Sequence, residues 1–140
     1  MHKTARQYVT GVGDCVSEYE TVLEGARKLA ELGVEALPIC GDDRSVLGML
    51  SERDVVRIVA ERRDPDAVRI GRLTLGTVAV VDADASIDDA WTTMVEQHLE
   101  RLPVTDDGRL IGMLRLTDLT AGMGDERVVD PLAARVVATL

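Results

Sequence analysis

Apolar and polar positions run through the same cycle twice along this chain. A short apolar stretch at Cys15-Val16 gives way to a polar turn and then to Val22, Ala26, Leu29 and Ala30 at helical spacing. Thr21-Val22-Leu23-Glu24 forms a capping box at the start of that helix, and Gly33 supplies a left-handed stop at its end. Leu37 to Cys40 is a strand whose Pro38 suits a beginning or an edge. Gly41-Asp42-Asp43 turns the chain into a returning strand, Val46 to Leu50. Glu52 to about Glu61 then reads as a helix with Val55, Val56 and Val59 inward, ending before Asp64-Pro65.

The second cycle opens at Val78 to Val81. Laying Leu37-Pro38-Ile39 over Leu102-Pro103-Val104, an offset of 65, also lays Val16 over Val81, Thr21 over Ser86, Val22 over Ile87 and Glu31 over Glu96. One residue is then lost in the turn. Beyond it Gly48-Met49-Leu50 lies over Gly112-Met113-Leu114 and Asp54 over Asp118, an offset of 64. The second helix carries Ile87, Ala90, Trp91, Met94 and Val95 on one face, with His98 where the first has Gly33. Asp106-Asp107-Gly108 turns into a strand from Arg109 to Leu114, and Gly122 and Gly124 shorten the helix that follows. A last helix is expected from Asp130-Pro131.

The unit is thus β-α-β-β-α, twice, an α/β (α+β) fold. Its expected parts are repeat 1 with the N-terminal segment (1–66), repeat 2 (67–124) and a C-terminal helix (125–140). Neither copy can bury both faces of so small a sheet alone. The two are therefore expected to pack with pseudo-twofold symmetry, leaving two related clefts at their seam.

Composition narrows the function. Phe is missing and only one Trp and two Tyr occur, so the core must be aliphatic. A net charge of −9 repels phosphate backbones and anionic membranes, although a local cluster of Arg can still hold one nucleotide. No apolar run reaches membrane-spanning length and the first residues lack a signal peptide, so a cytoplasmic address is expected. Gly11-Val12-Gly13 is a turn rather than a dinucleotide loop, and His2 and His98 belong to no zinc-spaced cluster. No nucleophile–base pair, phosphate loop or shielded carboxylate pair points to an enzyme.

The order Pro38-Ile39, then Gly48-Met49-Leu50-Ser51-Glu52-Arg53-Asp54, resembles the signature of the cystathionine-β-synthase (CBS) domain. Pro103-Val104 and Gly112-Met113-Leu114-Arg115-Leu116-Thr117-Asp118 repeat it. The resemblance runs from about Thr4 to Met123, as a tandem CBS pair or Bateman module. Ala5-Arg6, Cys15 and the Leu37 to Asp43 segment look most like small stand-alone actinobacterial members.

The resemblance implies a regulatory ligand containing adenosine (AMP, ADP, ATP, NAD or S-adenosylmethionine), with no cofactor required. It implies Asp54 on the ribose diol, Ser51 on phosphate with Arg53 beside it, and Pro38 and Ile39 lining the base pocket. An ionised Asp accepts two hydrogen bonds from a diol, and a hydroxyl at a helix N-terminus meets phosphate beside free N–H groups. In the second copy Pro103, Val104, Thr117 and Asp118 correspond, but Arg115 replaces the hydroxyl residue and either grips phosphate or fills the cleft. Ser51 and Asp54 also satisfy the pattern of a plain helix cap.

The resemblance further implies a homodimer, with Val22, Ala26, Ile87, Trp91, Val55 and Val59 as the apolar contact and an unknown protein partner regulated in trans. The alternative is a ligand-free stress or dormancy-associated scaffold. Finally, Cys15 and Cys40 read either as two small buried thiols or, since they end the segments flanking the first helix on one side of the small sheet, as a pair expected to lie close enough to join under oxidation.

Overall fold

The computed structural model describes residues 3–11, 13–73 and 78–123. Within them the β-α-β-β-α cycle occurs twice. The first has β1 (Val16–Ser17), α1 (Val22–Leu32), β2 (Ala36–Cys40), β3 (Val46–Ser51) and α2 (Glu52–Ala60). The second has β4 (Val81–Asp82), α3 (Ile87–Glu96), β5 (Arg101–Asp106), β6 (Arg109–Arg115) and α4 (Leu116–Met123). Each forms a three-stranded sheet, ordered β1-β2-β3 and β4-β5-β6. The expected C-terminal helix and Val12 lie outside the described residues.

Helix starts and stops follow the sequence signals. Thr21, Ser51 and Ser86 cap α1, α2 and α3, each side chain accepting from the N–H three residues on. Gly33 (φ 66°) and His98 (φ 56°) both take the left-handed conformation beyond their helices. One core holds Val16, Val22, Leu29, Ile39, Leu50, Ile58 and Ile70; the other holds Val81, Ile87, Met94, Leu102, Val104, Leu114 and Leu119. Both are aliphatic. Trp91 packs against the second.

Four details depart from the pattern. Pro38 lies inside β2, the central strand, not at its start. Its missing N–H is tolerated because β1 is only two residues long and is in register with Ile39 and Cys40, so no β1 residue stands opposite Pro38. On α2 it is Ile58 that is buried, with Val55 half-buried, while Val56 and Val59 are 64% and 59% exposed. Val56 and Val59 sit three apart on a face rotated by about 100° from the Val55–Ile58 face. On α1 Gly25 takes the inward place and Ala30 is exposed. In the first hairpin Arg44 adopts φ 66° at the position where the second has Gly108 (φ 78°).

The described residues divide into two units, 13–73 with 78 and 108–110, and 3–11 with 79–107 and 111–123. The N-terminal segment therefore belongs with the second repeat, not with the first as expected. Its hydrogen bonds explain why. Thr4 bridges Ser86, Ala5 N–H donates to Ala85 O (2.9 Å) and Arg6 N–H to Ala83 O (2.8 Å). Arg69 bridges Thr21, Ile70 N–H donates to Glu20 O (2.8 Å) and Gly71 N–H to Glu18 O (2.8 Å). Each pair in the second set is one of the first with the leading residue moved on by 65 positions and its partner moved back by 65. Ala5 and Ile70, both 0% exposed, are equivalent plugs in the two cores. The duplicated unit thus starts at Thr4 and at Arg69, and the two copies exchange their leading segments.

Candidate functional site

The first motif sits where β3 runs into α2. Ser51 is the N-cap: its Oγ accepts from Asp54 N–H (3.3 Å), and Asp54 Oδ2 accepts from Ser51 N–H (2.8 Å) and from Ser51 Oγ (2.9 Å). This reciprocal box satisfies donors that a helix start otherwise leaves open. Asp54 is half-buried and lines a cavity of about 240 Å³ together with Arg57, Ile58, Glu61, Arg63, Arg72 and Leu73. Its hydrogen bonds among the described residues all use Oδ2, which leaves Oδ1 as an acceptor. Arg53 is exposed on the first turn of α2.

The second motif is built differently. Arg115, at the end of β6, donates Nε–H to Asp118 Oδ2 (2.8 Å) and Nη2–H to Asp118 Oδ1 (3.2 Å). Both carboxylate oxygens are thereby engaged in a bidentate pair on a partly exposed surface. Arg115 thus occupies its own motif's acid. Thr117 is exposed, and its carbonyl accepts from Thr120 Oγ1 (3.0 Å).

Pro38, Ile39, Pro103 and Val104 are all buried, Ile39 and Val104 within the two cores. They shape the strands beside each motif. Asp43 is tied down in its turn by Ser45, whose Oγ–H (2.7 Å) and N–H (3.0 Å) hold its carboxyl below the usual carboxylate range.

A separate cluster surrounds the cysteines, which are both free thiols. Burial, then a hydrogen bond with Cys15, push the Cys40 thiol up to about 12. Cys40 therefore stays protonated near neutral pH. Cys15 is half-buried, and Arg44 Nη1 stands 3.9 Å from its Sγ. The same guanidinium donates to Gly13 O (2.8 Å) and Leu110 O (3.2 Å), and Lys28 Nζ to Cys15 O (2.6 Å). The bonds from Arg44 to backbone carbonyls help hold it in a conformation that otherwise costs a side-chain residue about 1 kcal/mol or more.

Sequence reasoning missed Arg44, Arg57 and Arg72. Arg44 had one available signal, its alignment with Gly108 at the 64-residue offset. Among the described residues no group of three or more His, Cys, Asp and Glu converges to hold a metal ion. No described helix is long and apolar enough to cross a membrane.

Two three-stranded α+β repeats, each with a motif at its β-to-α junction, define a CBS-domain pair. The CBS domain model matches residues 9–61 and 71–125, and the chain belongs to that family. It is 35% identical over 127 residues to hypoxic response protein 1 of Mycobacterium tuberculosis, covering 90% of this chain and 89% of that one. The crystal structure of hypoxic response protein 1 with two coordinated zinc ions superposes with a TM-score of 0.76 at 36% identity, over 86% of this chain and 98% of that one. CBSX2 in complex with AMP gives 0.70 at 23% identity, over 86% and 95%. The CBS pair of protein MJ0100, in complex with 5′-methylthioadenosine and S-adenosylmethionine, gives 0.68 at 17% identity, over 89% and 98%.

Proposed function

We propose that this chain is a regulatory module that binds one adenosine-containing ligand at the Ser51–Asp54 motif and signals its occupancy to a protein partner in trans, without catalysis. One observation carries the reading: Asp54 is a half-buried carboxylate that lines a cavity and has Oδ1 unused among the described residues, whereas both oxygens of Asp118 bond Arg115. The AMP and S-adenosylmethionine complexes of CBSX2 and MJ0100 support the ligand class. A thermal-shift series with AMP, ADP, ATP, NAD and S-adenosylmethionine tests it. A true ligand at 100 times its Kd adds about 2.7 kcal/mol, which a melting curve resolves. No shift with any of them rejects the reading.

A second reading, a ligand-free scaffold, is favoured by the capping box itself, because Ser51 and Asp54 complete each other without a ligand. The two readings diverge on substitution of Asp54.

The module is read as a homodimer. Val22 and Ile87 are buried in their own cores and cannot supply the contact, so the exposed Val56 and Val59 on α2 are the apolar face available to it. Sedimentation equilibrium is expected to give twice the chain mass, and Val56→Asp with Val59→Asp to halve it. A wild-type monomer rejects this.

The thiol pair is read as a reversible crosslink. Two thiols lose two protons and two electrons to an oxidant such as diamide, forming one S–S bond between Cys15 and Cys40. The bond closes a loop of about 25 residues and adds around 3 kcal/mol in the chain-entropy model. Oxidised protein is expected to melt higher than reduced protein, with no such difference in Cys15→Ser. Two alkylatable thiols after diamide treatment would end the idea.

A further inference from the structure

The cysteine cluster has a feature that a crosslink alone does not require: its two sulfurs stand in unlike surroundings. Cys40 is 3% exposed at the end of β2, where the register with β3 slips between Ile39 and Cys40. Cys15 immediately precedes β1, whose Val16 and Ser17 run parallel to Ile39 and Cys40, and it is only half-buried. A dissolved reagent therefore reaches Cys15 before Cys40.

Arg44 aims a charge at the more accessible sulfur. Its Nη1 stands 3.9 Å from Cys15 Sγ, while Nη2 is held by Gly13 O (2.8 Å) and Leu110 O (3.2 Å). Both anchors are neutral carbonyls, so they orient the guanidinium without cancelling its charge. Leu110 N–H donates to Arg44 O (2.9 Å) and Lys28 Nζ to Cys15 O (2.6 Å), which fixes the backbone on either side. The second hairpin has Gly108 (φ 78°) where the first has Arg44 (φ 66°), and glycine is the residue this conformation favours. A partly exposed sulfur facing a fixed cation is the setting in which a thiol becomes a nucleophile, because the cation stabilises negative charge on the sulfur.

We propose that Cys15 is a hydroperoxide-reactive cysteine, activated by Arg44 and resolved by Cys40. The resolving step rests on the crosslink reading above; the first step does not. Cys15 Sγ, as thiolate, attacks the terminal oxygen of the hydroperoxide. An S–O bond forms, the O–O bond breaks, and the second oxygen leaves as hydroxide or alkoxide, which takes up a proton from solvent. The sulfur gives up two electrons and the hydroperoxide gains them. Cys40, buried and protonated, does not compete for the oxidant. It then releases its proton as its Sγ attacks Cys15 Sγ: the S–S bond forms, the S–O bond breaks, and the hydroxyl departs with a proton as water.

Trapping of the sulfenic acid with dimedone under hydrogen peroxide, read by peptide mass spectrometry, tests this on Cys40→Ser and on Arg44→Gly/Cys40→Ser. Glycine keeps the turn, as Gly108 does, and removes the guanidinium. The adduct is expected on Cys15, forming about tenfold faster or more with Arg44 than without it. An equal rate without Arg44, or an adduct that forms first on Cys40 in the wild type, overturns the inference. Diamide that joins the two cysteines in a protein whose Cys15 peroxide never labels keeps the crosslink and also overturns it. A Cys15 adduct in Cys40→Ser, beside a wild type that forms no S–S bond, supports Cys15 as the nucleophile and discards the crosslink.

Discussion

Asp54→Ala is expected to weaken nucleotide binding at least a hundredfold while lowering the stability of the free protein by only about 1 kcal/mol. The binding loss follows from two charge-assisted hydrogen bonds to a diol, each about 1.5–3 kcal/mol, against about 1.4 kcal/mol per tenfold in Kd. The stability loss follows from the capping box: Ala removes the acceptor for Ser51 N–H and Ser51 Oγ–H. Asp54→Asn separates the two effects. Its amide oxygen can still accept from Ser51, but the neutral group cannot hold both ribose hydroxyls as a carboxylate does. The Asp54→Asn variant is expected to melt near the wild type and bind poorly. Calorimetry beside a urea titration reads both quantities. If the Asn and Ala substitutions lower stability alone, with nucleotide affinity untouched, the motif is a cap and the scaffold reading stands.

The second large effect concerns the exchanged N-terminal segment. A Cβ built on Gly112 overlaps Val9 Cγ1 and stands 2.9 Å from Thr10 O. Side-chain ends can move, but that carbonyl belongs to the bridge in which Thr10 and Met113 exchange N–H···O bonds of 2.8 and 3.1 Å. Gly112→Ala must therefore push the strap off β6 or bend the strand. Either route costs about 3 kcal/mol, the upper end for overpacking. The strap carries Ala5 into the second core and Arg6 onto Asp84 (3.2 Å) and Asp106 (3.1 Å). Urea denaturation is expected to show the loss of stability, and limited proteolysis to cut first between residues 3 and 11. A variant as stable and as resistant as the wild type would show that the close approach is not obligatory.

Much of this fold is written in local patterns that need no tertiary information. The caps at Thr21, Ser51 and Ser86, the left-handed stops at Gly33 and His98 and the shared offset all depend on residues a few positions apart. The inward face of α2 was less legible. With Val55, Val56, Ile58 and Val59 all apolar, the residue types do not say which side is the core.

The exchange of leading segments was invisible for a different reason. Thr4-Ala5 and Arg69-Ile70 share no residue type, and their equivalence lies in backbone bonds to positions 83–86 and 18–21. At the site, Ser51, Asp54 and Arg115 could be singled out from the motif. The pairing of Arg115 with Asp118 needed the end of β6 to bring the two side chains together. Arg57 and Arg72 belong to no motif. They are neighbours only because the turn at Ile70–Arg72 returns beside α2.

On the reading proposed above, two similar motifs give one site because Arg115 stands where the first motif has Ser51 and pairs with Asp118. The stoichiometry of ATP binding tests this most directly, measured by calorimetry on the wild type and on Arg115→Ser. One nucleotide per chain is expected in the wild type, and a second, weaker one once Asp118 is released. Two nucleotides per wild-type chain, or one that survives loss of Asp54, would contradict it.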